Sequence, residues 1–183
     1  LTGGVEALWE AGAITSDHAL RLWNALPLTA QALVECGSDL VGTLVPGPPL
    51  LQRARTIQPM RADWLPLLAE LAHRQETRVT PRNTQQLDLF EQYTHVLGSL
   101  ARKFPLIILL DDLQWADTGS LKLIQYIRNS SGNNMPILIL SCARLEFLEE
   151  NEEFTQDVEM IHLKPLPVSS EIVRKAYPII QEA

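Results

Sequence analysis

The feature that most constrains the fold of this chain is a run of five aliphatic residues with a sharp boundary on each side. Leu106-Ile107-Ile108-Leu109-Leu110 follows Pro105 and is followed by Asp111 and Asp112. A short apolar run without polar alternation is typical of a strand that is buried on both faces of a parallel sheet. A second such run covers residues 137–140, after a stretch with helical spacing. Strand, helix and strand in this order predict a βαβ unit, and the predicted fold class is therefore α/β.

The part of the chain before this unit has a helical pattern. Apolar residues recur at intervals of three and four over residues 17–26, 62–75 and 84–103, which predicts a helix in each range. Pro27 stands where a new helix could begin. Residues 42–59 are rich in Gly and Pro and predict a long surface loop. We therefore expect a largely helical N-terminal half.

Four further ranges complete the prediction for the second half. Residues 117–128 are expected to form the helix between the two strands, and residues 160–163 are a candidate for a short third strand. Residues 74–82 and 130–134 are polar and predict a loop and a turn.

Composition and charge exclude several classes of function. The 183 residues carry a net charge of −7, and the densest basic stretch, Arg53, Arg55 and Arg61, has no aromatic residues among its arginines, so we expect no nucleic-acid surface. No apolar run approaches the ~18–20 residues of a membrane span, and nothing resembles a signal peptide. The two cysteines, Cys36 and Cys142, form no disulfide framework, which favours a reducing, cytoplasmic setting.

The acidic pair after the first strand is the candidate chemical site. Ligands of open α/β sheets bind outside the carboxyl ends of the strands, and Mg²⁺ is usually held there by one or two carboxylates together with substrate phosphates. Asp111 is therefore the candidate metal ligand, and Asp112 is the candidate for orienting or deprotonating a water molecule. Two less specific readings remain open: the pair could simply begin a solvated loop, and Trp115 could be either a core anchor or a nucleotide contact. Asp117 is expected to cap the next helix.

These residues carry a resemblance to a known family. The segment from Leu106 to Leu121, LIILLDDLQWADTGSL, resembles the Walker B segment of the STAND class of P-loop ATPases, in which a hydrophobic strand precedes DD and a WAD-S-L stretch. Residues 136–144, PILILSCAR, resemble the next strand of that family, which ends in an arginine that senses the γ-phosphate. The resemblance implies a partial P-loop NTPase fold that works with ATP and Mg²⁺. In it Asp111 would bind the metal, Asp112 would assist hydrolysis, Trp115 would contact the nucleotide and Arg144 would read the terminal phosphate. A surface residue at a strand end is the alternative for Arg144.

The sequence departs from the family at its most diagnostic motif. No GxxxxGK[ST] phosphate loop is present: Gly42 and Gly47 have the spacing, but Pro48 and Pro49 stand where Lys and Ser/Thr are required, and proline lacks the N–H that would cradle a phosphate. Together with the start at Leu1, this leads us to expect an internal fragment of a longer ATPase, inactive by itself. Its expected partners are ATP, a missing N-terminal P-loop segment and C-terminal effector or repeat domains.

On this interpretation the chain has three parts. Residues 1–83 would be a helical insert between Walker A and Walker B, residues 84–166 an α/β core with the Walker B and sensor strands, and residues 167–183 the start of a following helical segment. Loss of the first strand of a parallel sheet would expose apolar surface, so we expect marginal stability or self-association.

Two other classes of protein are alternatives to the ATPase. A non-catalytic scaffold that keeps the fold for protein interaction stays open. A phosphoacceptor receiver domain is rejected, because it requires an Asp at the end of the next strand, where this chain has Ser141-Cys142-Ala143-Arg144.

Overall fold

The computed structural model describes residues 5–57, 62–76, 85–130, 135–156 and 158–164. The fold in these ranges is mixed and rich in helix, with a small parallel sheet. The elements in chain order are helices α1 (Val5–Glu10), α2 (Ser16–Cys36), α3 (Gly47–Ile57), α4 (Trp64–Glu76) and α5 (Gln86–Ala101), strand β1 (Leu106–Leu110), a 3₁₀ turn (Leu113–Trp115), helix α6 (Thr118–Ser130), strand β2 (Ile137–Ser141), helix α7 (Leu145–Glu150) and a second 3₁₀ turn (Glu152–Phe154).

Helix α2 continues through Pro27, so the prediction of a new helix at that residue was wrong. A proline inside a helix removes one backbone hydrogen bond and costs roughly 3 kcal/mol. The helix continues nonetheless because Ala30 and Leu33, in the turns after the proline, are buried in the main core. The start is capped by Thr15, whose Oγ1 accepts a hydrogen bond from the backbone N–H of His18 over 3.3 Å.

Helix α3 occupies most of the predicted loop over residues 42–59, and that prediction was wrong for Gly47–Ile57. Pro48 and Pro49 lie in the first turn of the helix, where backbone N–H groups have no intrahelical partner and proline is tolerated. Leu50 and Ala54, one turn apart, are buried. Tertiary burial of this face therefore decides the structure of a segment whose composition predicted a loop.

The main hydrophobic core lies among helices α2 to α5. It is formed by aliphatic side chains of α2, of the turn after it, and of α3, α4 and α5: Ala30, Ala32, Leu33, Leu40, Val41, Leu50, Ala54, Leu68 and Val96. The helices predicted over residues 62–75 and 84–103 are confirmed as α4 and α5, with slightly different bounds. Residues 77–82, within the predicted loop over residues 74–82, lie outside the described residues, whereas residues 74–76 belong to α4.

The predicted parallel pairing of the two apolar strands is confirmed. β1 and β2 run parallel in a register that pairs Ile107 with Leu138 and Leu109 with Leu140. The expectation that the strands are buried on both faces was wrong: burial alternates along β1, and these four residues are 70%, 51%, 69% and 46% exposed, respectively. Because alternate strand residues share a face, the four form one apolar surface, which we call the open sheet face.

The predicted helix between the strands is confirmed as α6, whereas residues 160–163 form no strand, contrary to the prediction. Residues 131–134 of the predicted turn lie outside the described residues, and residue 130 ends α6. The predicted domain boundaries at 83/84 and 166/167 also lie outside the described residues and stay predictions. The chain divides into two compact units, residues 1–143 and residues 144–183. No helix in the described part of the chain has the length and apolar character that crossing a membrane requires.

Candidate functional site

The acidic pair lies where the two strands end side by side. Asp111 and Asp112 directly follow β1, and both are exposed. Beyond the strand pairs, the backbone N–H of Cys142 donates to the carbonyl oxygen of Leu110, and the N–H of Leu113 donates to the carbonyl oxygen of Cys142, each over 2.9 Å. These bonds hold the segment with the two carboxylates against the end of β2, at the carboxyl edge where ligands of parallel sheets bind.

Asp112 has an unusual backbone conformation. Its φ and ψ are 52° and 50°, and it is the only non-glycine residue with positive φ in the described ranges. The left-handed region costs a residue with a Cβ about 1–2 kcal/mol, although aspartate and asparagine tolerate it better than most. Strained conformations of this kind occur preferentially at functional sites.

Local hydrogen bonds fix both carboxylates. The backbone N–H of Asp112 donates to Oδ1 of Asp111 over 3.1 Å, and Nε2 of Gln114 donates to Oδ1 of Asp112 over 2.7 Å. The contact with Gln114 was not anticipated from the sequence, although a polar residue two positions after an Asp in a turn is a usable signal for it. The pair is thus held in place by its own loop.

The 3₁₀ turn after the pair places one side chain inside and one outside. Leu113 is buried, whereas Trp115 is 75% exposed, so the tryptophan is not a core anchor in this structure. An exposed indole three residues from the acidic pair is available for stacking on a flat ligand.

Helix α6 begins beside the site with a well-formed cap. Oδ1 of Asp117 accepts hydrogen bonds from the backbone N–H groups of Gly119 and Ser120 over 2.8 and 3.0 Å, and Oδ2 accepts one from the hydroxyl of Ser120 over 2.7 Å. These bonds, with that of the Ser120 hydroxyl first, lower the pKa of Asp117 below the ordinary value of 3.8. The predicted role of Asp117 as a cap is therefore confirmed, and Ser120 is its main partner.

Arg144 belongs to the second unit, where it directly precedes α7 with extended backbone angles of −74° and 151°. The first unit contains the other three predicted site residues, Asp111, Asp112 and Trp115, within one five-residue stretch. Local sequence therefore brings these three together, and the predicted role of Arg144 stays a prediction.

The chemistry of the donors is compatible with Mg²⁺. Within the described ranges no three or more His, Cys, Asp or Glu side chains form a metal-binding group. Mg²⁺ bound with a nucleotide does not require one, since one or two carboxylates, waters and phosphate oxygens complete its shell. Two shallow hollows on α3, α4 and the residues just before α4, of about 460 and 480 Å³, contain none of the four predicted site residues.

Comparison with known proteins adds no assignment: no protein-family model, no curated protein and no solved structure matches this chain. The residues and the geometry of the acidic pair are therefore the basis for assigning a function.

Proposed function

We propose that this chain is part of a P-loop ATPase of the STAND class, in which ATP and Mg²⁺ control a cytoplasmic signalling switch. The observation that carries the proposal is the position of Asp111 and Asp112 at the shared carboxyl end of two parallel strands. The WAD-S-L stretch that follows them supplies the second support, because Trp115 is exposed and Asp117 caps the next helix.

Each predicted residue has a distinct role in this proposal. Asp111 would hold Mg²⁺, which when bound neutralises charge on the phosphate oxygens. Asp112 would orient the attacking water and accept its proton. Trp115 would stack on the nucleotide, and Arg144 would contact the terminal phosphate.

A phosphate-binding loop is the part that these 183 residues do not contain. Most of the affinity of P-loop proteins for a nucleotide comes from the backbone N–H groups and the Lys of that loop. We therefore expect the chain alone to bind ATP weakly or not at all, and we expect binding from a longer chain that begins upstream with such a loop.

The test is Mg²⁺-dependent binding of labelled ATP to two proteins, the present chain and one extended upstream through the expected loop. Each is measured with and without Asp111→Asn, a change that keeps the shape of the side chain and removes its charge. Asp17→Asn is the matched control, because Asp17 is an exposed carboxylate near the start of α2, remote in sequence from the acidic pair.

We expect Mg²⁺-dependent binding only in the extended protein. In a hydrolysis assay of that protein, Asp111→Asn should lower the rate of ATP turnover by about 10²-fold or more, because the metal ligand acts in the transition state. Absence of binding in both proteins would contradict the ATPase.

A scaffold that uses the fold for protein interaction is the second candidate. The open sheet face favours it, because four large apolar side chains are exposed there without any charged residue among them. If neither protein binds ATP, this candidate takes precedence.

A further inference from the structure

We propose that the open sheet face is a self-association surface, on which a second copy of this chain packs with its strands antiparallel to those of the first. This proposal goes beyond the ATPase and requires no nucleotide. It accounts for the large apolar residues of β1 and β2 that the ATP site does not use.

The open sheet face has the composition of an interface rather than of a solvated sheet face. Ile107 and Leu109 lie beside Leu138 and Leu140 on the same side of the sheet, and all four are about half exposed or more. A solvated face of a sheet normally alternates polar residues with the buried ones. The side chains here are aliphatic on both faces of β1, which is typical of a sheet whose second face is also covered.

The charges at the two ends of β1 select a second copy as the occupant. Arg102 and Lys103 are exposed shortly before the strand, and Asp111 and Asp112 are exposed directly after it. Five strand residues span about 16 Å. A two-fold axis parallel to the sheet and perpendicular to the strands would superpose the basic end of one copy on the acidic end of the other. A parallel arrangement would instead place like charges together, which is unfavourable.

The available area sets the expected strength. The four residues of the open sheet face, with Phe104 just before β1, are five exposed large apolar side chains. At on the order of 100 Å² each, they would bury about 1,000 Å² in a pair, which is just below the usual range of stable specific interfaces. We therefore expect a reversible dimer that depends on concentration rather than a permanent one.

The first experiment is sedimentation velocity of the full chain without nucleotide over a hundredfold range of concentration. Leu109→Gln is compared with Leu87→Gln, because Leu87 is a leucine of similar exposure, 62%, that lies on helix α5 and on neither strand. We expect the wild type and Leu87→Gln to dimerise alike. Leu109→Gln should raise the dissociation constant about tenfold or more, because each dimer loses two apolar contacts. Circular dichroism checks that both variants are folded.

The second experiment tests the antiparallel arrangement. Reversal of the basic end in the variant Arg102→Glu/Lys103→Glu should weaken the dimer. Adding Asp111→Lys/Asp112→Lys in the same chain should restore it, since each copy then again presents opposite charges to its partner. A monomer at every concentration, a dimer unaffected by Leu109→Gln, or a failure of the fourfold variant to recover would each overturn the proposal. Oligomeric state is measured without nucleotide, so each of these outcomes is read independently of the ATP-binding experiment, which uses different variants.

Discussion

At the residue scale, the cap of α6 gives a prediction about one proton. Bonds from Ser120 are the main cause of the lowered pKa of Asp117. Ser120→Ala should therefore raise that pKa toward its ordinary value, as measured by an NMR titration of the carboxyl carbon. Thr118→Ala, in the same turn, is the control and should leave it unchanged. An identical pKa in wild type and Ser120→Ala would contradict the assignment.

The direction of the pH dependence follows from the sign of that shift. A group whose pKa is lower in the folded state stabilises the fold above its ordinary pKa, and that stabilisation is lost as the pH falls through the lowered value. We expect the start of α6 to loosen below about pH 4, which hydrogen exchange of the amides of Gly119 and Ser120 would report.

Gly47 gives a second prediction at this scale. A Cβ placed on Gly47 would lie 2.9 Å from the Cα of Ala72, a backbone atom that cannot move aside without separating α3 from α4. Gly47→Val should therefore lower the free energy of unfolding by about 1–3 kcal/mol, measured by urea denaturation. Gln52→Val, at an exposed position of the same helix, carries the same β-branched side chain and should cost clearly less.

At the scale of elements, a reciprocal pair of hydrogen bonds ties the turn after α2 to α5. The N–H of Asp39 donates to Oε1 of Gln92 over 2.9 Å, and Nε2 of Gln92 donates to Oδ2 of Asp39 over 3.0 Å. Gln92→Ala should lower the free energy of unfolding by about 1–2 kcal/mol, because both partly buried groups of Asp39 lose a partner. The exposed neighbour Glu91, changed to Ala, should have almost no effect.

The elements also show how far local sequence predicts this fold. The helices α4, α5 and α6 follow from apolar spacing, because that spacing reflects burial, and the strands β1 and β2 follow from short apolar runs, although one face of the strands is exposed. The segment with Pro48 and Pro49 did not, because a proline that breaks a helix interior is well accommodated in a first turn. The helix through Pro27 was also not predicted, because burial of the residues after the proline outweighs the free-energy cost of a proline inside a helix. Neither effect is visible without knowing which surfaces meet.

The candidate site also has some features that the sequence predicts and others that it does not. The acidic pair and the cap at Asp117 follow from their position beside an apolar run and the start of a helix. The left-handed backbone of Asp112 and its bond from Gln114 do not, since both depend on how the chain leaves the sheet. The exposure of Trp115 was left open for the same reason: whether an indole is buried depends on neighbours that its own sequence window does not contain.

At the scale of the whole molecule, the main core belongs to one unit. All its described members lie between Ala30 and Val96, within the unit of residues 1–143. A chain that ends at Ala143 should therefore keep a cooperative thermal transition with helical circular dichroism. A broad, gradual loss of signal in that truncated chain would contradict the independence of the first unit.

The positive φ of Asp112 has a consequence for how this chain responds to selection. Glycine enters that region of backbone space without the steric cost of a Cβ, so Asp112→Gly should make the protein more resistant to denaturant, by up to about 1 kcal/mol. A screen for heat resistance alone would then enrich glycine at this position and discard the carboxylate in the same step. With the role proposed for Asp112, stability and activity are opposed at this residue, and variants improved in one should be assayed for the other.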